Sequence, residues 1–103
     1  LDLKGTRITD AGLAEVGRLT GFKGLYLTRT GVTDAGLRHL QGLTSLETLI
    51  LWDTGIGDAG LEHIKSLAKL QEVILWNTKV TREGVEALQA SLPGCDVSTT
   101  MFE

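Results

Sequence analysis

Hydrophobic residues recur along this chain at a fixed interval of 24 positions. Short runs in which apolar residues alternate with other residues begin at four places: Leu1, Leu25, Leu49 and Val73. An apolar pattern with helical spacing follows each run, in the sets Leu13, Val16, Leu19; Leu37, Leu40, Leu43; Leu61, Ile64, Leu67; and Val85, Leu88. Alternation favours a strand, and a spacing of three to four favours a helix. The pattern therefore predicts the same strand–turn–helix unit four times.

The interval divides the chain into predicted repeats at 1–24, 25–48, 49–72 and 73–94. A fifth, partial copy fits the same frame with the residues Leu92, Cys95, Val97, Thr100 and Phe102, through a shortened turn at Pro93-Gly94. Residues 95–103 are therefore predicted to form a capping strand, as end repeats commonly do. We expect one domain over 1–103. Because Leu1 begins in the middle of the frame without a polar cap, we also expect it to be the C-terminal part of a longer array.

The frame around each strand is LxxLxLxxTx[VI], as in Leu46, Leu49, Leu51, Thr54 and Ile56. It resembles the leucine-rich repeat family, with Thr where Asn or Cys is commoner. The ITDAGL variant is similar to bacterial arrays abundant in planctomycetes and to the cysteine-containing repeats of F-box proteins, whose Cys and F-box this chain lacks. The resemblance implies an α/β solenoid shaped as a short horseshoe, with a parallel sheet on its concave face and short helices on its convex face.

Within one repeat, the period of two turns Leu49 and Leu51 into the core and Ile50 and Trp52 outward. The threonine that follows each strand is predicted to turn inward and to form a hydrogen bond with the backbone; these residues are Thr6, Thr30, Thr54 and Thr78. Asp58 precedes a helix and suits its N-cap, since a short carboxylate can accept an unpaired N–H of the first turn. Asp10 and Asp34 repeat this position.

Three outward columns follow from the predicted register. They are Asp2, Tyr26, Ile50, Ile74, Asp96; Lys4, Thr28, Trp52, Trp76, Ser98; and Gly5, Arg29, Asp53, Asn77, Thr99. The middle strands thus present an apolar group with a polar rim, as protein–protein interfaces do. The predicted binding residues are Tyr26, Ile50, Trp52, Ile74 and Trp76, with Arg29 and Asp53 on the rim.

These columns predict a non-catalytic binding module for a protein or peptide partner. A carbohydrate is an alternative ligand, since aromatic rows suit sugar faces. The alternative function is a structural scaffold, or a segment that self-associates through the concave face or the N-terminal strand edge, whose backbone groups would be unpaired.

The sequence gives only weak signals for a catalytic, cofactor or metal site. The GxGxxG match at 55–60 resembles a dinucleotide fingerprint, but repeat two has Thr33 in place of the middle glycine, and Asp58 would repel a pyrophosphate. His39 and His63 share one helical position, and two ligands hold a metal poorly. Cys95 occupies a leucine position and is interpreted as a buried hydrophobe. We therefore predict no enzyme activity, no cofactor and no metal.

The charge and hydrophobicity of the chain exclude further classes of partner. The net charge is −3, and the ten basic residues are scattered, which disfavours nucleic acid. No apolar stretch approaches the roughly 20 residues that span a bilayer. The chain has no basic n-region or apolar h-region, so we expect a soluble domain without a targeting signal. A single cysteine leaves the compartment open.

Overall fold

A computed structural model describes residues 1–99 of the chain. Four short strands alternate with four short helices: α1 Asp10–Val16, β1 Gly24–Tyr26, α2 Asp34–Leu37, β2 Thr48–Ile50, α3 Asp58–Ile64, β3 Glu72–Ile74, α4 Arg82–Ser91 and β4 Asp96–Ser98. A 3₁₀ turn over Arg38–Leu40 continues α2. No helix within residues 1–99 is long and apolar enough to cross a membrane.

The strands form one parallel sheet in the order β1-β2-β3-β4. Leu25 pairs with Leu49, Leu49 with Val73 and Val73 with Val97, so each step is one interval of 24 residues. Residues 1–5 extend the sheet beside β1, through a bridge between Asp2 and Tyr26. The helices cover one face and leave the other open. The predicted α/β solenoid, with a parallel sheet on one face and short helices on the other, is confirmed.

The core lies between the sheet and the helices. Leu25, Leu49 and Val73 are fully buried under the strands, and the helical leucines Leu37 and Leu61 are at most 1% exposed. Leu19 departs from the predicted pattern, because it is 55% exposed. It lies in the first repeat, where only one neighbouring repeat packs on it, whereas the matching leucines of repeats two and three are buried from both sides.

Each post-strand threonine closes the turn in the same way. The hydroxyls of Thr6, Thr30, Thr54 and Thr78 donate to the carbonyl three residues earlier, at 2.7 or 2.8 Å. The predicted hydrogen bonds are therefore confirmed. Only Thr54 is buried, at 7% exposure, and Thr6 is exposed.

The predicted N-cap role of the aspartates is wrong. Thr33 and Gly57 precede the helices in extended backbone, and Asp34 and Asp58 are the first helical residues. Their carboxylates instead reach the next repeat. Asp58 accepts from the backbone N–H of Thr81 at 2.8 Å and from its hydroxyl at 2.5 Å. Asp10 binds Thr33 in the same two ways, and Asp34 accepts from the Gly57 N–H at 2.6 Å.

These inter-repeat carboxylates explain the recurring glycines of the first helical turn. A Cβ on Gly84 would collide with the Asp58 carboxylate, and one on Gly60 would lie 2.6 Å from Asp34 Oδ1. Gly36, Gly60 and Gly84 thus leave room for the aspartate of the preceding repeat.

The frame predicted for the last strand is wrong by two residues. Val97, and not Cys95, pairs with Val73, so the interval stays at 24. Helix α4 is longer than α1 and α3, and the Gln89 side-chain amide donates to the carbonyls of Leu92 and Cys95, which holds the Pro93-Gly94 turn before the strand. Thr100 and Phe102, the end of the predicted capping strand 95–103, lie outside the described residues, and the domain boundaries stay a prediction.

Candidate functional site

The sheet face opposite the helices carries the predicted binding residues. The register aligns Asp2, Tyr26, Ile50, Ile74 and Ser98 in one row. Ser98 therefore takes the position predicted for Asp96, which lies beside Glu72 instead. Thr99 consequently aligns with Leu75 and not with the polar rim. We call Tyr26, Ile50, Trp52, Ile74 and Trp76 the aromatic cluster. Tyr26 is 39% exposed, and the other four are partly exposed.

Both tryptophans lie just after the end of a strand. Strands β2 and β3 end at Ile50 and Ile74, so the predicted strands are too long, although the backbone pairing continues through Leu51 N–H to the Ile74 carbonyl. The indole rings meet edge to face, with centroids 5.2 Å apart and planes at 74°. This arrangement is favourable for aromatic pairs. The Trp76 Nε1–H donates to Ser98 Oγ at 3.1 Å.

A polar chain runs beside the indoles. The Arg29 guanidinium lies 5.7 Å from the Trp52 ring centroid, within the range of a cation–π contact. Arg29 Nε is 3.3 Å from Asp53 Oδ2, and the Asn77 side-chain amide donates to Asp53 Oδ1. The structure thus brings both predicted rim residues against the aromatic cluster. It adds Asn77 and Ser98 as their partners.

The rim residues share an uncommon backbone conformation. Arg29, Asp53 and Asn77 have φ values of 56, 62 and 51°, in the left-handed region that disfavours side chains, and Gly5 holds the same position in repeat one. The N–H groups of Arg29 and Asp53 donate to the carbonyls of Trp52 and Trp76 at 3.0 and 2.9 Å. These bonds offset the strain, which is about 1 kcal/mol or more for each such residue.

A shallow cavity of about 330 Å³ opens on the same face. Its lining residues are Asp2, Lys4, Tyr26, Thr28, Ile50 and Trp52. Thr28 is on the predicted face, but it is only 4% exposed. It is therefore covered by its larger neighbours, while Tyr26 and Trp52 present their rings to the opening.

At the GxGxxG match, a side chain of the protein itself takes the place where a phosphate would bind. The Gly57 N–H that would meet a phosphate donates to the Asp34 carboxylate of the preceding repeat. That carboxylate would repel an anion at this helix start.

The remaining candidates are isolated. His63 Nδ1 lies 3.5 Å from the Gln41 amide nitrogen. Within residues 1–99, no three His, Cys, Asp or Glu side chains are grouped to bind a metal. Cys95 is 4% exposed; burial raises the pKa of its thiol, and the charges of Asp96 and Glu72 raise it further. A high pKa disfavours the reactive thiolate.

The comparisons with known proteins bear on the repeat itself. Residues 42–65 match the family model described as "Leucine Rich repeat". The matched stretch contains β2, Ile50, Trp52, Asp53 and helix α3. No curated protein matches the chain.

Proposed function

Because this chain is a leucine-rich-repeat protein, and such domains are typically non-catalytic protein-binding or scaffold modules, we propose that it binds a protein or peptide partner through its aromatic cluster. Arg29 and Asp53 form the rim of this surface. The chain itself performs no catalysis in this proposal. The chain recognises the partner, and the stacked repeats hold the binding surface in place.

The observation that carries the proposal is the edge-to-face pair of Trp52 and Trp76 on the open sheet face. Buried tryptophans are enriched among the residues that contribute most to protein–protein binding. The Arg29 contact and the Ser98 hydrogen bond hold these rings in place before any partner arrives. Such preorganisation reduces the entropy lost on binding.

The same geometry favours a protein over a carbohydrate. The planes of Trp52 and Trp76 stand at 74°, so one flat sugar ring cannot stack on both. Both carboxylate oxygens of Asp53 already have partners, and so does the Trp76 N–H. Few polar groups in the cluster are left to bind sugar hydroxyls, whereas its apolar rings and isoleucines suit apolar side chains.

The alternative function is a scaffold that self-associates through the same face. Sedimentation over a concentration series distinguishes the two functions. A chain that forms dimers through the aromatic cluster loses them on Trp52→Ala or Trp76→Ala. A chain that binds a different protein stays monomeric until the partner is added.

The direct test is substitution of the two tryptophans. The double variant W52A/W76A should keep the far-ultraviolet spectrum of the fold and weaken binding of peptides selected on the wild-type chain by about 2 kcal/mol or more. Leu19→Ala, which removes an exposed apolar side chain far from the cluster, is the control and should bind as wild type. If the folded double variant binds the selected peptides unchanged, the aromatic cluster is not the binding surface.

A further inference from the structure

Charge on the sheet face and its margins is unevenly compensated. The charged residues there are Asp2, Lys4, Lys23, Arg29, Glu47, Asp53, Glu72 and Asp96. Lys23 of repeat one pairs with Glu47 of repeat two at 3.9 Å, and Arg29 of repeat two pairs with Asp53 of repeat three at 3.3 Å. Asp2 and Lys4 add one charge of each sign in the first repeat. The uncompensated charge is therefore that of Glu72 and Asp96.

Glu72 and Asp96 are direct neighbours in the sheet. They open strands β3 and β4, pair in register and are both exposed. Within residues 1–99, no lysine or arginine lies within ion-pair distance of either carboxylate. Like charges directly opposite each other on neighbouring strands destabilise a sheet. The pair therefore contributes no stability to the isolated fold. A cation placed over the two carboxylates would relieve their repulsion.

The acidic pair adjoins the aromatic cluster. Glu72 and Ile74 are two residues apart on β3, so their side chains leave the same face about 7 Å from each other. Trp76 follows on the same face, beside Trp52. The apolar surface of the aromatic cluster is thus directly adjacent to the two negative charges of Glu72 and Asp96. Arg29, the cation of the rim, is already paired with Asp53.

We propose that the partner is a basic-apolar peptide segment of another protein. An apolar side chain packs against Ile74, Trp52 and Trp76, and a neighbouring Lys or Arg lies over Glu72 and Asp96. A separation of about 7 Å matches residues i and i+2 of an extended segment. The inference deepens the proposed function and rests on it, since it specifies which peptides the aromatic cluster accepts.

The test begins with a random twelve-residue peptide library displayed against the full chain. Selected peptides should be enriched in Lys or Arg close to an apolar residue. For these peptides, E72K/D96K should weaken binding by about tenfold or more. The control E83K/E86K makes the same charge change at two exposed positions of α4 and should stay within about twofold. Raising the salt concentration should weaken wild-type binding.

A reciprocal exchange completes the design. Peptides in which Glu replaces the selected Lys or Arg should bind E72K/D96K better than they bind wild type. Selection of acidic or uncharged peptides, or equal binding by wild type and E72K/D96K, overturns this inference while the proposed function stands. Selected peptides that bind W52A/W76A unchanged overturn the proposed function itself.

Discussion

A single buried hydroxyl closes the turn after β2. Thr54 is 7% exposed and donates to the Leu51 carbonyl at 2.7 Å, whereas Thr6 makes the same bond while exposed. Thr54→Val should lower the free energy of unfolding by about 1–3 kcal/mol, because the buried carbonyl loses its partner without gaining water. Thr6→Val should have a smaller effect, since water can replace the hydroxyl. Urea unfolding measures both; equal losses would contradict this account.

Gly84 leaves the space that the Asp58 carboxylate of the preceding repeat fills. All three atoms nearest to an added Cβ belong to Asp58. Gly84→Ala should therefore destabilise the fold by about 1–3 kcal/mol through overpacking. In an Asp58→Ala background the same change should be neutral or stabilising, because alanine favours a helix over glycine. Additive effects in a double-mutant cycle, measured by denaturant unfolding, would show that the carboxylate does not require the glycine.

The sequence analysis identified the threonines and aspartates that form the recurring hydrogen bonds, but it assigned the aspartates the wrong partner. Aspartate before a helical pattern is typical of an N-cap, and threonine is equally so. Thr33 and Asp34 are adjacent, and a local pattern cannot tell which of them takes the N-cap position and which reaches the next repeat. That distinction depends on how the repeats stack. The threonine hydrogen bonds were predictable because both partners lie within one turn.

Adjacent helices are joined by a bond that depends on pH. The hydroxyl of Thr81, and then its backbone N–H, lower the pKa of Asp58 in the folded chain. The unfolded chain therefore takes up this proton first as the pH falls. The stabilisation from the bond should be complete above about pH 4, the ordinary range of an aspartate, and should disappear as the pH falls through the lowered value.

The measurement is the difference in unfolding free energy between wild type and Asp58→Asn over a pH series. We expect it to be constant near neutral pH and to shrink in acid. Thr81→Val removes the donor with the largest effect on the pKa, so the pH dependence should flatten in that variant. A difference that grows in acid would give the wrong sign and refute the interpretation.

At the scale of elements, the sequence predicted strands and helices in the right order but not their ends. The interval of 24 set the register of β1, β2 and β3, because a one-residue slip would turn every leucine to the wrong face. The final strand was misplaced because Leu92 and Cys95 also fit a leucine frame. Only the backbone pairing of Val97 with Val73 distinguishes the two registers, and hydrophobicity alone does not.

Stability across the whole molecule should be highest in the middle of the stack. The Leu51 N–H donates to Ile74 between two central repeats, whereas the Leu3 N–H donates to Tyr26 beside the first. Repeats gain much of their stability from neighbours on both sides. By native-state hydrogen exchange, the Leu51 amide should exchange only through global unfolding and the Leu3 amide through local opening. The same free energy of exchange at both amides would mean that the stack opens as one unit.

At this scale the sequence also predicted which face of the sheet carries the aromatic cluster. The alternation of inward and outward residues in each strand was sufficient for this prediction, since Trp52 and Trp76 share one outward position in successive repeats. The arrangement of the rings was not predictable. The edge-to-face contact, the Ser98 hydrogen bond and the Arg29 contact depend on side-chain rotamers and on the left-handed turn, which no periodic pattern encodes.

The aspartate bridges give the stack a direction. Repeats one to three each place a carboxylate against the repeat that follows, and repeats two to four each carry a glycine that makes room for the carboxylate of the repeat before. A repeat that carries both residues can therefore be duplicated in tandem with the same contact between the copies. Asp58 and Gly60 make repeat three such a unit. Repeat four has Gly84 but Arg82 at the aspartate position, so a second copy placed after it would meet a cation instead of a carboxylate. Duplication of a repeat by unequal crossing-over would accordingly be tolerated among residues 1–72 and resisted directly after residues 73–94.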